Sequence, residues 1–282
     1  MAKRRRKRAV KAPKVKRSMH QVATLIILES LQAGADLWHS PYPPGEPPIN
    51  YATDKPILGL RAIYLNAASG YYHSRYWISK TEIKQRGSIR KGQSGVWFPW
   101  WTATHQIRSG HYWNIEQVDL PLEIQGADDI PPNPVETYDA ISNCQSLIES
   151  LSCRPRIIAG DSHLYDPDSN LVMVPHPDSE DPENWYSLLF RNLTESAAGA
   201  ASLPGRAWME LDKLAELSVQ VATGYLCAEA GIRNHSAPPN YEDWQQFLET
   251  YSTAFLTAAQ NAVRIIRYLK GEQSVKRAVK AA

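Results

Sequence analysis

Residues 119–136, "DLPLEIQGADDIPPNPVE", carry four prolines in one short stretch. Proline has no amide donor and fixes φ, so neither a helix interior nor a central strand can run through such a segment. The segment also has an Asp pair and a glycine, and no hydrophobic periodicity, the signature of a connection. It divides the chain into two expected units, residues 19–120 and 137–271, joined by a linker at 121–136. A chain of 282 residues has room for two domains, and at 43% hydrophobic residues it can bury a sizeable core.

Periodicity then places the elements. "MHQVATLIILESLQAG" predicts an amphipathic helix over 19–34, closed by Gly34, because glycine stops helices cheaply. The Pro-dense "WHSPYPPGEPPIN" reads as a loop, and "GLRAIYLNAAS" as a second helix. "GSIRKGQSGVWFPWW" gives two glycine turns and then an aromatic strand, with "GHYWNIEQV" as its partner. In the second unit a helix is expected near 137–152, and strands at "PRIIAG" and "LVMVP" form a hairpin-like pair around the turn "YDPDSN". Three helical stretches follow, at about 182–199, 208–231 and 241–270. No repeat of 20–50 residues is present.

The charge is unevenly spread. Residues 1–17 hold ten Lys/Arg, Lys3, Arg4, Arg5 and Arg6 among them, and no acid. The remainder has 21 basic against 29 acidic residues, a net charge of −8. The expected organisation is a basic, disordered arm (1–18), an acidic body, and a short basic tail (272–282). Such an arm suits phosphate contacts made without sequence readout; a solubilising or localisation tail is the alternative. No apolar run reaches the roughly 18 residues of a membrane span, so no membrane association is expected and the location expected is cytoplasmic, in a bacterial host cell. Cys144, Cys153 and Cys227 are an odd, sparse set and read as free thiols rather than a disulfide framework or zinc knuckle.

Between Tyr71 and Trp101 lie eight Tyr, Trp or Phe residues, interleaved with Arg75, Lys80, Lys84, Arg86, Arg90 and Lys91 against a single acid, Glu82. Exposed aromatics stack on bases while cations follow the backbone, and duplex DNA does not offer its base faces in this way. Single-stranded nucleic acid is therefore the expected partner, near Arg75, Tyr76, Trp77, Lys80, Lys84, Arg86, Arg90, Lys91 and Trp97. The competing reading puts the aromatics in a core and the cations in water.

The helix "NWYSLLFRNLTESAAG" sets Arg191, Asn192 and Glu195 at i, i+1 and i+4, the spacing at which zinc peptidases carry His, Glu and His. Guanidinium has no lone pair for a metal, and Asn192 cannot take a proton from water as a carboxylate would. His163, His176 and His235 show no i, i+4 pairing that would replace the site. No metal or cofactor is expected.

"YWISKTEIKQRGSIRKGQSGVWFPWW" resembles the N-terminal domain of the ArdC-type antirestriction proteins, also found in TraC-type plasmid primases. Trp77, Gly87, Arg90, Lys91, Gly92 and Trp101 carry the resemblance, with Asn114 and Gln117 in the following strand and Trp38 and Pro41 upstream. "DKPILGL" matches in part, and Leu60 to Ala62 depart from the family's pattern. "HLYDPDSNLVMVP", "YSLLFRNLTESAAGAASLPGR" and the last two helices extend the likeness over about residues 19–271.

The resemblance implies an α+β fold. An α/β single-stranded-DNA-binding domain would precede a mostly helical, zincin-like metallopeptidase domain with a small β-hairpin or sheet. In that family's metal helix, Arg191 would stand at the first His, Asn192 at the Glu and Glu195 at the second His. A later helix that contributes an acidic ligand aligns Ala215, Glu216 and Gln220 to its three acidic positions. The implied protein protects incoming plasmid or phage DNA, binds single strands, and has a catalytically dead peptidase domain. In the former metal site, Arg191 and Glu195 are expected to pair one turn apart, with Gln220 or Glu216 taking the remaining donors. A scaffold that holds a protein partner through the second domain is the alternative, and a zinc peptidase with a rebuilt site ranks third.

Overall fold

A computed structural model describes residues 17–33, 37, 47–69, 72–102, 106–120, 140–200, 212–236 and 241–272. Lys3, Arg4, Arg5 and Arg6 of the arm, the linker 121–136, Trp38, Pro41, Gly34 and the tail beyond 272 lie outside the described residues.

The first half builds a five-stranded sheet with helices around it. Helix α1 (Met19–Gln32) starts at a capping box, in which Ser18 accepts from the Gln21 amide and the Gln21 side chain returns to the Ser18 amide. It buries Ala23, Thr24, Ile27 and Leu28, one stripe at helical spacing. Strands β1 (Ile49–Asn50) and β2 (Lys55–Pro56), helix α2 (Leu60–Ser69), strand β3 (Tyr76–Ser79) and helix α3 (Lys80–Arg86) follow. Then come β4 (Ser88–Ile89), β5 (Val96–Trp101), β6 (Ile107–Asn114) and β7 (Val118–Asp119). The large sheet has the order β2-β1-β3-β6-β5, while β4 and β7 form a separate pair. β5 and β6 are antiparallel in the register Trp97↔His111 and Trp100↔Arg108, the hairpin that the alternation predicts. β3 lies centrally, parallel to β1 and antiparallel to β6.

The second half contains α4 (Ala140–Ser150), β8 (Arg156–Ala159), β9 (Leu164–Asp166), β10 (Leu171–Val174), α5 (Pro182–Gly199), α6 (Asp212–Ala230), α7 (Tyr241–Thr250) and α8 (Ala254–Leu269). The expected pairing of "PRIIAG" with "LVMVP" is found, but it is parallel and not a hairpin. The hairpin is β9 with β10, closed by a turn in which Asn170 takes a positive φ of 52°. The helix expected over 241–270 is interrupted at 251–253. There the Ser252 carbonyl accepts from the Thr24 hydroxyl of α1 at 2.7 Å, a long-range bond in place of a helical one.

The architecture is α+β. One buried core runs through both halves, from Ala23, Ile27, Tyr64 and Trp77 to Leu189, Phe190, Leu226 and Phe255. α1 packs on α7 and α8, and α5, α6 and α8 pack against one another. Cys144 and Cys227 are buried within that core and, like Cys153, form no disulfide among the described residues. Burial pushes the Cys227 thiol far up, so it stays protonated and unreactive. Among the described residues no helix is long and apolar enough to cross a membrane.

Candidate functional site

The basic stretch forms a surface built on α3 and the turn after it. Ser79 caps α3 and Glu82 returns to the Ser79 amide at 2.7 Å, so the only acid of the stretch is spent on structure. Lys80 and Lys84 are exposed, lie one turn apart on one helical face, and meet no carboxylate among the described residues. Lys80 also holds the His111 pKa down, after desolvation, the larger cause. Arg86 is half-buried; Arg75 places its guanidinium 5.9 Å from the centre of the Tyr76 ring. Tyr76 is itself half-buried, edge-on to Tyr51.

Arg90, Lys91, Gly92 and Gln93 form a turn closed by the Gln93 amide on the Arg90 carbonyl. Gly92 has φ +84°, the left-handed geometry that glycine supplies at the third position of such a turn. Lys91 is exposed at its tip. Arg90 is tied down: Nε donates to Asp119 at 2.9 Å and Nη1 to the Glu116 carbonyl at 2.8 Å. Asn114 and Gln117, both buried, are locks beneath this surface. The Asn114 amide group donates to the Ser74 carbonyl, and the Gln117 amide group to Gln93 and to the Ser94 carbonyl.

Trp77 does not belong to this surface. It is 0% exposed, and so is Ile78. Consecutive strand residues point to opposite faces of a sheet, so both faces of central β3 are covered at this level. Trp77 packs edge-on against Tyr72 and is a core residue that no base can reach. Trp97 is half-buried and packs edge-on against Tyr64 of α2. Among the described Tyr, Trp and Phe residues of this stretch, the exposed one is Trp100, at 37%. Sequence reasoning missed it, because "VWFPWW" does not say which of its rings faces outward.

The second site is a cleft of about 550 Å³ between α5, α6 and β9, lined by Tyr165, Pro167, Arg191, Glu195, Ala198, Glu216 and their neighbours. Arg191, Glu195 and Glu216 therefore do converge. Arg191 meets Glu216, one of the two residues expected to take its remaining donors, but makes no ion pair with Glu195 among the described residues. Arg191 Nη2 lies 3.8 Å from Glu216 Oε1, and Nη1 donates to the Ser236 carbonyl at 3.4 Å. Helical side chains lean toward the N-terminus, so Arg191 leans away from Glu195, and the Arg-before-Glu order is the weaker one. Both partners are substantially exposed, 31% and 53%, which limits the pair to under about 1 kcal/mol.

Nor does Gln220 take up donors of the site: its Oε1 is buried without a partner. Asn192 is 6% exposed and its Nδ2 also has none. Tyr165 is raised above its usual pKa by burial, then by Glu195 and Asp166, and it keeps its proton at neutral pH. The histidines turn to separate carboxylates: His163 to Glu180 at 2.9 Å, His176 to Asp178 at 3.5 Å and His235 to Glu183 at 3.9 Å. Among the described residues no three His, Cys, Asp or Glu come together as a metal-ligand group.

The orphaned donor of Asn192 leads to an expected outcome. A buried unsatisfied amide costs about 1–3 kcal/mol, and a similar-shaped apolar group removes that penalty. Asn192→Leu is expected to stabilise the fold by about 1 kcal/mol, seen as a higher urea midpoint at unchanged slope. A lower midpoint would show that the amide is satisfied in solution.

No protein-family profile matches the chain. A DNA primase TraC of Escherichia coli is 23% identical over 193 residues, 57% of this chain and 13% of the primase. A second Escherichia coli TraC is 21% identical over 207 residues, 64% of this chain and 19% of the primase. The chain thus matches only a minor part of these primases' length. The antirestriction ArdC protein from R388 plasmid superposes at TM-score 0.62 in its metal-free form, with 18% identity over 89% of this chain and 96% of that one. Its Mn(II)-bound form gives 0.67, with 17% identity over 90% and 97%. The chain has the fold of the antirestriction ArdC protein.

Proposed function

We propose that this chain is an ArdC-like antirestriction protein that binds single-stranded DNA and whose peptidase-like domain has lost its catalytic metal. It serves a mobile element by shielding entering DNA. The observation that carries the binding half is the α3 surface, where Lys80, Lys84 and Lys91 stand exposed with no carboxylate partner among the described residues. A filter-binding titration with oligothymidylate tests it. Binding should be tight at low salt and fall steeply as salt displaces the protein from phosphates. No binding at low salt overturns the reading.

The metal half rests on donor chemistry. The R388 relative has a Mn(II)-bound form, and a hard divalent cation needs several oxygen ligands in one place. Here the cleft offers Glu195 and Glu216, with the permanent charge of Arg191 held 3.8 Å from Glu216. A guanidinium cannot ligate, and it opposes a cation beside it. These residues do not fit a catalytic metal. Protein dialysed against zinc or manganese is expected to retain far less than one equivalent by elemental analysis. Stoichiometric metal lost in Glu195→Gln or Glu216→Gln would restore the hydrolase reading.

A further inference from the structure

We infer that Trp100, seated on Gly110 and facing Arg108, is a stacking platform for one base of a bound single strand; this rests on the single-strand reading above. The large sheet ends at β5, so among the described residues its last strand has a ladder partner, β6, on one side only. On β5, Trp100 lies opposite Arg108 and Phe98 opposite Gly110. The Trp100 ring extends over Gly110: a Cβ built there would come within 2.9 Å of Cζ3 and 3.3 Å of Cη2. Glycine at 110 is what lets the indole lie down on β6. Phe98 supports it from the side, its ring centre 5.5 Å away and tilted by 36°.

The indole is thus held from beneath and beside while 37% of Trp100 stays exposed. No other Tyr, Trp or Phe from 72 to 120 is exposed to that degree among the described residues. A held, open π-face is what a base needs, and stacking tolerates any base. Arg108 supplies the charge beside it. Its Nη2 donates to the neutral Gln106 side chain at 3.1 Å and meets no carboxylate among the described residues, so its cationic charge is available to a phosphate. An aromatic face next to an uncompensated guanidinium fits a single-stranded polynucleotide better than an apolar protein segment, which would leave Arg108 unpaired on docking.

The test compares wild type, Trp100→Ala, Trp100→Phe and Gly110→Ala by fluorescence anisotropy of labelled oligothymidylate across a salt series. Trp100→Ala is expected to bind about tenfold more weakly at every salt concentration, with an unchanged salt slope, because stacking releases no counterions. Trp100→Phe keeps most of the affinity. Gly110→Ala leaves the backbone ladder intact, pushes the ring off its seat, and falls in between. On an abasic strand of equal length, wild type and Trp100→Ala should bind alike. If wild type binds oligothymidylate and Trp100→Ala binds it equally, or loses as much on the abasic strand, the platform is overturned and the single-strand reading survives. If wild type itself fails to bind at low salt, both fall. Gly110→Ala keeps the assignment falsifiable should Trp100→Ala not fold, since wild-type affinity in that variant also overturns it.

Discussion

Trp77→Ala is expected to destabilise the protein by about 3–5 kcal/mol, enough to leave much of it unfolded at 37 °C, since domains are stable by only about 5–15 kcal/mol. Trp77 is among the largest fully buried side chains, sits in the middle strand of five, and packs against Tyr72. Removing it opens a cavity that strands paired on both sides cannot collapse to fill. Urea denaturation gives the measure. Trp77→Phe fills most of the space and loses an indole N–H that has no partner in the core, so its cost is expected to stay below about 1.5 kcal/mol. Folded Trp77→Phe should bind oligothymidylate as wild type does. A binding loss in a variant with wild-type stability would return Trp77 to the interface.

That residue also shows where the sequence stopped being informative. Its setting, aromatics interleaved with cations, has the same composition whether the ring faces a base or a core. Only the pairing of β3 with β1 on one side and β6 on the other decides, and β1 is two residues long with no pattern of its own. By contrast the β5–β6 hairpin and helix α5 were legible, because their signals are local. α5 begins where Asp181 caps the Asn184 amide and Pro182 takes the first turn. The parallel pairing of β8 with β10 was misread because the three residues of β9 form the hairpin in their place. In the cleft, helical spacing alone offered Arg191 only Glu195; Glu216, on another helix, was reached only through the family resemblance, and Ser236, in a later loop, not at all. The same limit hid Trp100, whose exposure depends on Gly110 in the facing strand.

Deleting residues 1–17 is expected to change the salt dependence of DNA binding more than any point substitution on the α3 surface. The segment carries ten of the 31 Lys/Arg, and without it the body has a net charge of −8. A net-negative body repels a polyanion at long range, so Lys80, Lys84, Lys91 and Arg108 would have to act against that field, and steering falls with it. Each phosphate neutralised on a single strand contributes about 0.7 to the slope of log affinity against log salt. If about half of the arm's charges reach phosphates, the slope flattens by about 3.5, and the intact chain's advantage shrinks about a hundredfold over a fourfold rise in salt. Point substitutions on the α3 surface each remove about 0.7. Trp100→Ala removes none, so three classes of residue separate in one titration series. An unchanged slope on truncation would assign the arm to localisation and leave the α3 surface and Trp100 to carry the binding alone.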